Sequence, residues 1–156
     1  MKNKDEFYRS LTQEVVAYID EDWLTSLANL SALLKQNLAD TNWIGFYLYK
    51  SGELVLGPFQ GLPACTRIKI GRGVCGKSAE SRKSIRVRDV HEFKDHIVCD
   101  SNSRSELVIP LVFKDRLLGV LDLDSPSIDR FDGTDQKSLE HIGELISSRI
   151  HWPSQF

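Results

Sequence analysis

Cys65, Cys75 and Cys99 are the side chains with the greatest chemical potential in this 156-residue sequence. Their odd number, in a chain whose start (MKNKDEFYRSLTQEVV) lacks the unbroken apolar run of an export signal, argues against a disulfide framework. The expectation is thiols in a reducing, cytoplasmic compartment. Such a cysteine is ordinarily a small buried hydrophobe, so its surroundings must argue for chemistry. Cys99 has them: HIVCDSNSRSEL is a polar loop ahead of a strand, where partial exposure and hydrogen-bond donors favour the thiolate. Cys65 follows Gly61-Leu62-Pro63-Ala64, a flexible turn signal that would let its sulfur swing toward an oxidised Cys99. Cys75 sits in a glycine-rich stretch and carries no such signal. Cysteines ten and twenty-four positions apart lack the close pairing of structural zinc sites, so a zinc set completed by His96 is disfavoured. His96 reads either as a neighbour that tunes Cys99 or as a surface residue.

Two further patterns suggest binding. Alternation along WIGFYLY puts Trp43, Gly45 and Tyr47 on one strand face, leaving a gap walled by rings that suits a small apolar group such as a thioether methyl. Ordinary core packing would use the same residues. Asp122 and Asp124 share a face of another strand, where aspartate is disfavoured and like charges repel. A cationic ligand or a retained proton explains the pair, and a solvated face is the plain alternative. Glu106 would add a third carboxylate if its strand is a neighbour.

Other motifs lead nowhere. Gly71-Arg72-Gly73-Val74-Cys75-Gly76 formally opens a dinucleotide-binding pattern, but KSAESRKS has too few apolar residues for a crossover helix, so these glycines are expected in turns. Between Arg67 and Arg88 lie eight basic residues and one acid, Glu80, without the interleaved aromatics of a nucleic-acid surface. A net charge of −2 and a 41% apolar composition describe an ordinary globular chain. No apolar run approaches the roughly 20 residues that span a bilayer.

The elements that must position these residues follow from hydrophobic period. Phe7, Leu11, Val15 and Tyr18 predict a helix over 5–20, and Leu24, Leu27, Leu30, Leu34 and Leu38 another over 23–38. Strands are predicted at WIGFYLY, ELVL, 66–70, 84–90, 106–113 and 117–124, with tight turns at Ser51-Gly52 and Lys114-Asp115-Arg116. A closing helix over 134–150 carries Leu139, Ile142, Leu145, Ile146 and Ile150, with Thr134 as its N-cap.

WIGFYLY, GPFQGLPACTRIKIGRGVCG, HIVCDSNSRSELVIPL and GVLDLDSP, in this order and spacing, resemble the free methionine-(R)-sulfoxide reductases, enzymes on a GAF fold, over roughly residues 10–150. Three cysteines, the aromatic pair and three carboxylates stand together in the match, which a ligand-sensing GAF module does not need. The resemblance implies a single GAF domain over 1–156, of α/β (α+β) class. It would have a six-stranded antiparallel sheet, the terminal helices on one face, and a homodimeric state. It implies that Cys99 attacks the sulfoxide sulfur and becomes a sulfenic acid as methionine leaves. Cys65 would resolve that acid, thioredoxin would reduce the disulfide, no metal or other cofactor would take part, and Cys75 would be auxiliary at most. Trp43 and Tyr47 would hold the methylthio end of the substrate, while Glu106, Asp122 and Asp124 bind its polar groups and polarise the S–O bond. The chemistry is consistent: a departing sulfoxide oxygen needs a proton, which a desolvated carboxylic acid supplies, and residual carboxylate charge would hold the ammonium of a free amino acid. A non-catalytic GAF sensor with redox-switching cysteines and an interaction domain with inert buried cysteines are the alternatives. Equal alkylation rates of the three thiols would favour the last.

Overall fold

The computed structural model describes residues 3–156. Two helices open the chain, α1 (Lys4–Ala17) and α2 (Trp23–Asn37), started by the side chains of Asn3 and Asp22, which accept from Glu6 N and Thr25 N. Strands β1 (Trp43–Lys50) and β2 (Glu53–Gln60) form a hairpin whose turn residues, Ser51 and Gly52, both take positive φ. Then come β3 (Arg67–Lys69), α3 (Gly73–Ser81), β4 (Ile85–Val87), β5 (Ser105–Phe113), β6 (Arg116–Ser125) and α4 (Gly133–Arg149). The six strands form one antiparallel sheet in the order β3-β2-β1-β6-β5-β4. Among the described residues no helix is long and apolar enough to cross a membrane.

Strand alternation divides the sheet into two faces. Ile44, Phe46, Leu107, Ile109, Leu121 and Leu123 pack with the buried sides of α1, α2 and α4 in one core. The terminal helices therefore share a face, as expected. Trp43, Tyr47, Val108 and Val120 point the other way and meet Val74, Cys75 and Ala79 of α3. The leucine stripe of α2 is buried except for Leu24; in α1 Leu11 and Val15 are buried as expected, joined by Tyr8 with Phe7 packed beside the core, while Tyr18 lies exposed at the helix end.

Helix α3 corrects the expectation of turns through 71–76. Gly71 (φ 85°) and Gly73 (φ 62°) do turn the backbone, but the helix starts at once and covers KSAES. It needs few large apolar residues because it lies close to the chain beneath it: a side chain on Gly76 would run into the Lys69 carbonyl oxygen. Its buried Ser78 hydroxyl donates to Lys83 O at 2.8 Å. The strands it joins, β3 and β4, lie at opposite edges of an antiparallel sheet, so it is not a dinucleotide-binding crossover. A second correction concerns α4: its N-cap is Asp132, in a reciprocal capping box with Asp135, and Thr134 lies inside the helix.

Candidate active site

Sheet register assembles the acids. Glu106 on β5 pairs with Asp124 on β6, which pairs with Trp43 on β1; in the next row Asp122 faces Gly45. Directly paired residues of antiparallel strands share a face, so three carboxyl groups and the Trp43 ring all point toward α3. From α3, Cys75 points back at them, its Sγ 3.9 Å from Glu106 Oε1. The strands are neighbours, as the grouping of Glu106 with the aspartates required. Tyr47, Cys75, Cys99, Glu106, Asp122 and Asp124 line one cavity of about 30 Å³, with His96 at the same wall. Trp43 and Cys65 are not part of that lining. A wider groove of about 720 Å³, beside Arg116 and Phe156, contains none of these residues.

Two of the three cysteines are bonded to each other. Cys65 and Cys99, 34 positions apart in sequence and 5.4 Å apart at Cα, form a disulfide, while Cys75 is free and buried. The loop of Cys65 is held by the aromatic pair: Trp43 Nε1 donates to Leu62 O at 3.1 Å and the Tyr47 hydroxyl to Cys65 O at 2.9 Å. The loop of Cys99 is held by Arg72 and Asn42, with His96 set near Glu106. Arg72 donates to both carboxylate oxygens of Asp95 at 2.9 and 2.8 Å, Asn42 Nδ2 reaches Asp100 Oδ2 at 2.9 Å, and His96 Nε2 lies 3.7 Å from Glu106 Oε2.

The ring-walled gap expected over Gly45 is filled in this disulfide form. Phe59 stacks on Trp43 at 5.1 Å between centroids, Trp43 on Tyr47 at 5.9 Å, and a Cβ on Gly45 would meet Phe59 Cα and Trp43 Cη2 at 2.8 Å each. Sequence reasoning missed Phe59, whose partnership comes from the β1–β2 register, opposite Gly45. It also left His96 undecided; the contact is with Glu106, and nothing in sequence joins those two positions.

Burial governs the electrostatics. It pushes the Glu106 carboxyl up to about 8, with the Asp124 charge adding to the effect. Asp122 rises through burial and then the charge of Glu106, Asp124 through burial and then Asp122, and the Cys75 thiol rises for the same first reason. Burial lowers His96, which favours the neutral imidazole. Glu106 therefore keeps its proton at neutral pH, and burial favours the protonated form of both aspartates: the cavity can give a proton, and it can ionise where a cation compensates the charge. Asp122 Oδ1 is buried without a hydrogen-bond partner.

The sequence matches the GAF domain family over residues 4–150. It is 48% identical over 142 residues to a free methionine-R-sulfoxide reductase of Escherichia coli (strain K12), covering 90% of this chain and 86% of that one. The chain belongs to the free methionine-R-sulfoxide reductase family. A free methionine-R-sulfoxide reductase of Neisseria meningitidis, solved in complex with its substrate, superposes with a TM-score of 0.90 at 42% identity, covering 96% of this chain and 91% of that one. The reduced form of fRMsr of Staphylococcus aureus superposes at 0.89 with 47% identity, covering 92% and 94%. In this member of the family, the disulfide, the free cysteine and the three acids all lie around α3 and the β5–β6 pair.

Proposed function

We propose that this chain reduces free L-methionine (R)-S-oxide to L-methionine, with Cys99 as nucleophile and Cys65 as resolving thiol. The observation that carries the reading is the Cys65–Cys99 bond beside a cavity lined by Glu106, Asp122 and Asp124. A Cys99 thiolate attacks the sulfoxide sulfur while a carboxylic acid protonates its oxygen. The S–O bond of the substrate breaks, an S–OH bond forms on Cys99, and methionine leaves reduced by two electrons. Cys65 then displaces water from the sulfenic acid, which gives the bond present in the structure. In the same reading Trp43 and Tyr47 hold the methylthio end, one of Glu106, Asp122 and Asp124 is the proton donor, and the remaining charge holds the substrate ammonium. That ammonium is absent from a methionine residue within a protein, hence the preference for the free amino acid. Cys75 is auxiliary to the thiol chemistry, and no cofactor enters the cycle.

In the same reading a thioredoxin-type dithiol regenerates the thiols by exchange, the compartment is the reducing cytoplasm, and the homodimeric state is the one the family resemblance implies. The test is turnover of the two sulfoxide epimers of free methionine with thioredoxin, its reductase and NADPH. Consumption of the (R) epimer alone is expected, and lost in Cys99→Ser. A chain that binds the sulfoxide without turning it over would be a sensor, and the proposal would fail.

A further inference from the structure

Cys75 takes no part in the disulfide, yet its sulfur faces the acid cluster. Its Sγ, a carboxylate oxygen of Glu106 and one of Asp122 all lie within 4.8 Å of one another, and all three residues are buried. They come from α3, β5 and β6, three elements that pack rigidly together. A second and independent observation is Asp122 Oδ1, a buried oxygen without a hydrogen-bond partner on a residue only 6% exposed. We propose that Cys75, Glu106 and Asp122 form a three-donor binding site for a borderline divalent cation of the zinc type. A thiolate beside carboxylates is a donor set that zinc and cobalt(II) accept, whereas magnesium and calcium require mostly oxygen. Metal–sulfur and metal–oxygen bonds of about 2.3 and 2.1 Å in a tetrahedron set sulfur and oxygen about 3.5 Å apart. Cys75 Sγ and Glu106 Oε1 stand 3.9 Å apart. The trio, all within 4.8 Å of one another, must close toward about 3.5 Å to complete the three-donor set. Binding expels the protons of the thiol and both carboxyls, and the dication supplies the positive charge that buried anions need.

The spacing of the cysteines concealed this site because only one of them belongs to it. The consequence for activity rests on the function proposed above: the cation would compete with the substrate ammonium for the same acids, so it would inhibit. Binding itself does not depend on that reading, and it can be measured without turnover. The experiment titrates cobalt(II) into the disulfide-bonded chain, in which Cys75 is the free cysteine. A thiolate-to-cobalt charge-transfer band therefore reports Cys75 alone. One cobalt per chain is expected, with that band, displaced by zinc. The band should be missing in Cys75→Ser, and affinity should fall at least about tenfold in Glu106→Gln, which keeps the thiol. A wild-type chain without the band, a band that survives Cys75→Ser, or an affinity unchanged by Glu106→Gln overturns the site. If instead the metal-free enzyme fails to reduce the (R)-sulfoxide, it is the function that fails.

Discussion

Replacing Glu106 with glutamine removes one buried ionisation from the sheet, and the effect can be worked from its surroundings. In the folded chain the carboxyl holds its proton up to about 8, against an ordinary 4.5. Between those values the folded state binds more protons than the unfolded one, so raising the pH destabilises the fold. At pH 5.5 about one pH unit of that difference has accumulated; at pH 9 all of it has. The remaining two and a half units, at about 1.4 kcal/mol each, give about 3 kcal/mol of stability lost by the wild type over that range because of Glu106 alone. Asp122 and Asp124 act in the same direction; their burial persists in the variant, and the part of the Asp122 rise that comes from the Glu106 charge is lost with it, which adds to the difference. The assay is urea unfolding of the disulfide-bonded proteins at pH 5.5 and pH 9. The loss between the two should be at least about 3 kcal/mol smaller in Glu106→Gln than in the wild type. Equal losses would mean that Glu106 ionises normally, and the account of a protonated cavity would be wrong.

Cys99→Ser should reduce sulfoxide turnover to background while leaving the fold intact by circular dichroism. Cys65→Ser should instead release about one methionine per chain and then stall, with a sulfenic acid trapped by dimedone; continued thioredoxin-driven turnover would remove Cys65 from the cycle. Gly45→Ala places a methyl group 2.8 Å from both Phe59 Cα and Trp43 Cη2, so a loss of about 2–3 kcal/mol in denaturant unfolding is expected, and a neutral result would contradict the packing of the three rings. Tyr8→Phe deletes a 2.5 Å hydrogen bond to Asp135, a residue 0% exposed, and should cost about 1.5–3 kcal/mol by thermal unfolding.

What the sequence revealed about this molecule depended on period. The strand alternation of WIGFYLY assigned Trp43 and Tyr47 to one face and Ile44 and Phe46 to the other, and the two cores divide along that line. The same rule placed Asp122 and Asp124 together. Helix α3 escaped because its buried side is made of Val74, Cys75, Ser78 and Ala79, which a count of large apolar residues does not register. Asp132 escaped as a cap because a second acid, Asp135, completes the box inside the helix. Contacts that join distant segments, such as Phe59 under Trp43 or His96 beside Glu106, depend on strand register and loop path, which no local pattern encodes.

The bond between Cys65 and Cys99 closes a loop of 34 positions that contains β3, α3 and β4. By chain entropy alone, a covalent closure of that span lowers the freedom of the unfolded chain by about 4 kcal/mol. In the cycle proposed above, the protein makes and breaks this link and so alternates between a cross-linked form and a looser one. Its lifetime against proteolysis then follows its workload: molecules waiting for a reductant are the durable ones, and those freshly reduced are the first to be degraded.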